Sequence, residues 1–159
     1  MFEYLKKVLT QKDENQLARE LNLTVDECRQ EKLHIAAASL FIEIAKADGD
    51  FSEAERKRII ELMRSDFNLG EGCINELLEL SELKVKESIS IYEFTSAINK
   101  HFNRTEKLQL LKSLWKVIYE DRKLDQYEDR LIKIIGATLN LDHKDIIASK
   151  LTAKEELGL

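Results

Sequence analysis

The most restrictive feature of this chain is the absence of proline from all of its 159 residues. Average usage would give about eight prolines in a chain of this length. Sandwiches and barrels consist of short strands joined by turns rich in glycine and proline, and only five glycines occur here. The sequence therefore predicts an all-α protein.

Length and charge limit the classes of function. The length fits one domain, and a hydrophobic content of 43% is enough for a core of that size. Acidic and basic side chains, 30 and 25 in number, nearly cancel, so disorder driven by net charge is not expected. A net charge of −5 also argues against a dedicated nucleic-acid-binding protein, which usually has a basic face.

The sequence also indicates a compartment. No apolar run approaches the length of a transmembrane helix, and the first ten residues lack the apolar core of a secretory signal. Two cysteines, Cys28 and Cys73, are too few for a disulfide framework and form no metal-binding pair. We therefore expect a cytoplasmic protein with reduced thiols.

The apolar pattern divides the chain into three segments. Residues 1–23 predict an N-terminal helix and a polar connector, residues 24–151 a helical domain, and residues 152–159 a flexible tail. In residues 2–9 apolar side chains recur at helical spacing around two lysines, so this helix either docks on the domain or contacts a membrane surface. Residues 33–44 are apolar almost all the way round a helix, which predicts a central, buried helix.

An internal repeat appears when the two halves of the chain are aligned with an offset of 73 residues. Each unit is a buried helix, a short loop and a capped amphipathic helix. The aligned pairs are Asp48 with Asp121, Phe51 with Leu124, Ser52 with Asp125, Glu55 with Glu128, and Ile59 with Ile132. The sequence thus predicts a single-domain bundle of about seven to eight helices that contains two pseudo-symmetric helix–loop–helix units.

Both loops are rich in carboxylates. Oxygen ligands on a loop and the first turn of a helix suit hard cations, of which calcium and magnesium are the best candidates. Pseudo-symmetry would bring the two loops together, and repulsion among their carboxylates would favour a bound cation. The candidate metal ligands are Asp48, Asp50, Glu55, Asp121, Asp125 and Glu128.

Helix capping is the competing interpretation of these residues. Ser52 with Glu55, and Asp125 with Glu128, have the spacing of a capping box, and acids favour helix N-termini in any case. Asp48 and Asp121 lie four residues before the helix caps, so capping explains them less well. An EF-hand is excluded, because its first ligand positions would be Ile44 and Val117.

The first loop and its surroundings resemble a known family. The segment AKADGDFSEAE at residues 45–55, followed by a helix and a second acidic unit, is similar to the TerB-like family, named for bacterial tellurite resistance. The resemblance covers roughly residues 30 to 151. It implies a helical bundle, a bacterial origin and a role in stress or tellurite response.

The resemblance also implies a metal site. In that family the acidic loop residues are the suspected ligands, and they correspond here to Asp48, Glu55, Asp121 and Glu128. The second loop departs from the pattern, because Arg122 and Lys123 stand where the first loop has Gly49 and Asp50. Two basic side chains beside the acids weaken the case for cation binding by this half.

Two functions remain open at this point. The first is a non-enzymatic module that binds a divalent cation between the loops. The second is a protein-interaction scaffold without a metal, in which the acids serve only as helix caps and an unknown protein binds elsewhere. An enzyme is not expected, because no nucleophile and base can be paired from the sequence. Glu31 and His34 form half of a di-iron motif, but no second copy exists, and an ordinary half-buried histidine is the simpler interpretation.

Overall fold

The computed structural model describes residues 3–11, 13–48, 51–82, 93–120 and 127–159. Within these ranges the chain forms nine α-helices and no strand, which confirms the all-α prediction. The helices are α1 (Glu3–Thr10), α2 (Glu14–Leu21), α3 (Val25–Asp48), α4 (Glu53–Phe67), α5 (Glu71–Glu82), α6 (Glu93–His101), α7 (Arg104–Glu120), α8 (Glu128–Thr138) and α9 (His143–Glu156). The described part therefore has more helices than the seven to eight expected, and one of them, α2, lies in the predicted polar connector.

Helix α3 is the centre of the bundle. Every residue from Ile35 to Lys46 is buried, as the apolar pattern predicts. The small side chains of Ala36, Ala37 and Ala38 allow neighbouring helices to approach closely. Seven helices pack against α3, namely α1, α2, α4, α5, α6, α7 and α8. The core is therefore built around one long apolar helix, against which most of the other helices pack.

Two capping boxes, Thr24 with Glu27 and Ser52 with Glu55, define where α3 and α4 begin. The Thr24 hydroxyl accepts the Glu27 N–H, and the Glu27 carboxylate accepts the Thr24 N–H, each at 3.1 Å. Ser52 and Glu55 make the same reciprocal pair at the start of α4. These bonds satisfy N–H groups that have no partner within the helix.

The N-terminal helix α1 docks on the domain. Its apolar side chains Leu5, Val8 and Leu9 are buried, and the helix packs against α3, α5 and α6. The carboxylate of Glu76 on α5 accepts the Tyr4 N–H in the first turn of α1. The apolar face that would contact a lipid surface is thus occupied by the core. No helix within the described ranges is both long and apolar enough to cross a membrane.

The last helix extends beyond the end predicted from the sequence. The pattern predicts an end near Leu151, but α9 continues to Glu156. Ala153 is buried, and Glu156 forms ion pairs with Lys112 and Lys116 of α7. In addition, Lys150 lies over the ring of Trp115. Packing on α7 therefore orders residues that the composition assigns to a flexible tail.

A buried carboxylate joins α3 to α6. Glu43 is only 3% exposed, and one of its carboxylate oxygens accepts the N–H groups of Phe94 and Thr95, at 3.1 and 3.2 Å. Both donors lie in the first turn of α6, where the positive end of the helix dipole favours a negative charge. Local sequence patterns do not reveal this interaction, because Glu43 lies 51 residues before its nearest partner.

We predict that Glu43→Ala lowers the free energy of unfolding by about 2–3 kcal/mol, because two buried donors lose their acceptor. Glu43→Gln keeps an acceptor oxygen and is expected to cost about 1 kcal/mol. Urea denaturation followed by circular dichroism measures both values. Equal losses in the two variants would show that the oxygen acceptor is not what stabilises α6.

Candidate functional site

The six predicted metal ligands differ in how far the structure describes them. Asp50, Asp121 and Asp125 lie outside the described residues. Asp48 is the last residue of α3 and Glu128 the first of α8, and only their backbone is described. Glu55, in the first turn of α4, is the one ligand candidate whose side chain is described. The geometry of the site is therefore built from Glu55 and its neighbours.

Phe51 fixes the end of the first acidic loop on the core. It is 2% exposed, and its ring packs against Tyr127 with a centroid distance of 4.0 Å. On the other side its edge meets Phe41 of α3 at 6.3 Å. The repeat has an apolar residue at this position of both loops. The burial of Phe51 explains why the first loop has an apolar side chain there.

A hydrogen bond connects the two units of the repeat. The Tyr127 hydroxyl donates to Glu55 Oε2 at 2.5 Å, while Oε1 of the same carboxylate accepts the Ser52 N–H at 3.1 Å. Tyr127 immediately precedes α8 and follows the second acidic loop in the sequence. The residues that follow the two acidic loops are therefore in direct contact.

These contacts determine the charge of Glu55. The Tyr127 hydroxyl and, to a smaller extent, the Ser52 N–H lower the pKa of the Glu55 carboxyl below its usual range. The group is therefore ionised at neutral pH. Each carboxylate oxygen can accept more than one bond, so Glu55 can serve as a cap and still face a cation.

Arg56 belongs to a basic run, residues 56–58, which the sequence predicts to lie on a solvated helix face. Its guanidinium donates to the carbonyl of Phe51 at 2.9 Å and to that of Ser81, near the end of α5, at 3.1 Å. The two bonds tie the start of α4 to α5 and hold the backbone after the first acidic loop. They also occupy the Phe51 carbonyl, which makes it a poor backbone ligand for a metal.

No three His, Cys, Asp or Glu side chains converge on a point suitable for a metal anywhere in the part of the chain that the structure describes. Five of the six candidate ligand side chains are outside that part. The finding therefore concerns the other described residues, including the half di-iron motif at Glu31 and His34.

His34 packs against Phe67 at the end of α4. Its ring stacks on Phe67 with centroids 4.4 Å apart, and it hydrogen-bonds to the Phe67 backbone. Burial lowers the pKa of His34, and the bond to Phe67 offsets only part of that effect. Burial also raises the pKa of Glu31, one turn earlier on α3. His34 is therefore neutral at pH 7.

We predict that Glu55 and Tyr127 stabilise the fold as a pair. Tyr127→Phe removes the hydroxyl, Glu55→Ala removes the acceptor, and a double-mutant cycle by urea denaturation should give a coupling of about 0.5–1.5 kcal/mol. The cycle Tyr127→Phe with Glu53→Ala is the matched control, because Glu53 is exposed in the same turn and pairs with Lys57. Additive effects in the Glu55 cycle would exclude a stabilising bond between the units.

We predict that acidification destabilises the wild-type protein more than the His34→Phe variant, which keeps a ring on Phe67. The folded state lowers the pKa of His34, so the unfolded state binds its proton first as the pH falls through the ordinary histidine range. Stability due to neutral His34 is present at pH 7 and declines as the pH falls below the ordinary histidine pKa, so less of it remains at about pH 5. Urea denaturation at both pH values tests this, and equal losses would contradict it.

Comparison with known proteins agrees with this architecture. A family model described as "Tellurite resistance protein TerB" matches residues 34–151, which include the repeated units and both acidic loops. No curated protein and no solved structure matches the chain. The matched region covers most of the sequence and the helices α4 to α8 in full. The chain belongs to the TerB family.

Proposed function

We propose that this TerB-family helical module is non-enzymatic and binds a divalent cation where its two acidic loops meet, as part of a bacterial stress or tellurite response. Calcium and magnesium are the best candidates, because all proposed ligands are carboxylates. The proposed ligands are Asp48, Asp50, Glu55, Asp121, Asp125 and Glu128. The observation that supports this proposal is the contact of Tyr127 with both Phe51 and Glu55.

The contact supports the proposal because two of the proposed ligands are the sequence neighbours of the residues in contact. Asp50 directly precedes Phe51, and Glu128 directly follows Tyr127. Consecutive Cα atoms are about 3.8 Å apart, so ligands next to these two residues need little reach to share an ion with Glu55. The proposed site thus draws on both units of the repeat, which would be held together by the ion.

Capping and basic residues limit the affinity of this site. The N-terminus of α4 already stabilises the negative charge of Glu55, and a cation must compete with the capping bonds for the same oxygens. Arg122 and Lys123 reduce the negative charge of the second loop. We therefore propose binding in the weak range that suits a sensor or a structural clamp, not a buffer.

We predict that calcium or magnesium chloride at millimolar concentration raises Tm. An ion at ten times its Kd stabilises the folded state by about 1.4 kcal/mol, which corresponds to about 3 °C for a domain of this size. The double variant Asp48→Asn with Asp121→Asn should lose this gain. Differential scanning calorimetry with and without a chelator measures the shift.

The matched control for this experiment removes the same charge elsewhere. Glu79→Gln with Glu155→Gln neutralises two exposed carboxylates on α5 and α9, and the ion should stabilise this variant as it does the wild type. A Tm that no divalent ion raises would contradict the proposal, as would an equal loss of the gain in both double variants.

The alternative is a protein-interaction scaffold in which the acids are helix caps only. One observation favours it: Ile147 and Leu151, one turn apart on α9, are 42% and 59% exposed. Capture of a partner from a bacterial lysate should then be unaffected by chelator and weakened by Leu151→Lys. Capture that requires the ion would instead support a cation-dependent module.

A further inference from the structure

A second candidate site lies at the opposite end of α3 and α4 from the acidic loops. It is a cavity of about 560 Å³ between α1, the first turns of α3 and the end of α4. Among the residues that line it are Tyr4, Asp26, Glu27, Glu31, His34 and Phe67. Glu31 precedes Asp48 by 17 residues of one helix, which is about 25 Å along its axis. The cavity is therefore separate from the proposed ion site.

Aromatic rings form part of the cavity wall. His34 and Phe67 are stacked with an interplanar angle of 6°, and Tyr4 of α1 lines the same cavity. Burial, with a smaller effect from Glu31, raises the pKa of Tyr4 to about 12, so the phenol keeps its proton. The face of an aromatic ring is the negative part of its quadrupole and attracts cations. With His34 neutral, this wall contributes no positive charge.

Carboxylates form another part of the wall. Glu27 is engaged in the capping box with Thr24, and Asp26 lies 3.7 Å from Arg29. Glu31 is half-buried, and it makes no hydrogen bond or ion pair with any residue that the structure describes. No lysine or arginine is among the described residues that line the cavity. Glu31 is therefore a wall carboxylate that pairs with no basic group of the described chain.

We propose that this cavity binds a linear polyamine, with one ammonium group between Glu31 and the rings of Tyr4 and Phe67. Glu27 and Glu31 are one turn apart, about 6 Å along α3, a spacing that suits two ammonium groups joined by a short methylene chain. Leu21 and Leu23 in the cavity wall provide apolar surface for that chain.

An organic cation suits this cavity better than a metal ion. No three His, Cys, Asp or Glu side chains converge on a metal position in the described chain. Aromatic faces offer no lone pairs to a metal, but they stabilise an ammonium group, and more so when it is desolvated. Binding of a polyamine in this cavity does not require the ion at the acidic loops, so the polyamine proposal and the metal proposal can fail separately.

The test uses spermidine as the probe, with the full chain kept in excess calcium chloride to occupy the loop site. Isothermal titration calorimetry should show binding, and two-dimensional NMR should place the largest shifts at Tyr4, Glu31, His34 and Phe67. Glu31→Gln should weaken binding by about tenfold, because a partly desolvated charge pair is lost. Glu155→Gln, the same change on the exposed surface of α9, should leave binding unchanged.

A second pair of variants tests the aromatic wall. Tyr4→Phe keeps the ring and should retain the affinity, whereas Tyr4→Leu should weaken binding several-fold. Circular dichroism verifies that each variant is folded. N-acetyl-lysine amide, which offers one ammonium group, should bind more weakly than spermidine, and equal affinity would overturn the assignment to a polyamine.

Three other results would overturn this proposal. They are an absence of spermidine binding at millimolar concentration, NMR shifts scattered over the acidic surface, and an equal loss of affinity in Glu31→Gln and Glu155→Gln.

The double variant Asp48→Asn with Asp121→Asn separates the two sites. This variant should still bind spermidine even where it no longer responds to calcium.

Discussion

The burial of α3 is the constraint on which the other features depend. Its middle turns are apolar on almost all sides, so α3 is stable only when other helices cover it, and seven helices do so. The one acid in this stretch, Glu43, accepts two N–H groups in the first turn of α6. The other charged residues of α3 lie toward its two ends. Both candidate sites lie there, one near Asp48 and the other around Glu31.

Features encoded by neighbouring residues could be predicted from the sequence. The all-α fold follows from apolar periodicity, and the capping boxes at Thr24 and Ser52 follow from a spacing of three residues. The contacts that assemble the site could not be predicted in this way. Tyr127 and Glu55 are 72 residues apart, and nothing in either local pattern marks them as partners. Arg56 looks like part of a solvated basic run until α5 supplies an acceptor for it.

The repeat predicts that the two acidic loops meet, and the contact between Tyr127 and Glu55 is consistent with that prediction. The contact is not symmetric. With the offset of 73 residues, Tyr127 aligns with Ala54, which cannot make an equivalent hydrogen bond. The bond to Glu55 is thus a feature of the second unit alone. Pseudo-symmetry stays a prediction, and the junction is better understood as one aromatic anchor, Phe51, shared between the units.

The two proposed sites differ in the physical basis of their selectivity. Around Glu55 the proposed ligands are carboxylates at helix ends and in the acidic loops, where a small, hard ion would gain most from several oxygens at short distance. Around Glu31 a half-buried carboxylate and aromatic rings line the same cavity, and a strongly hydrated metal ion would lose its water there without gaining ligands. An ammonium group has a lower cost of desolvation and gains from the ring faces. A net charge of −5 attracts both kinds of cation. The side chains at each end of α3 must therefore determine whether a metal ion or an ammonium group binds there.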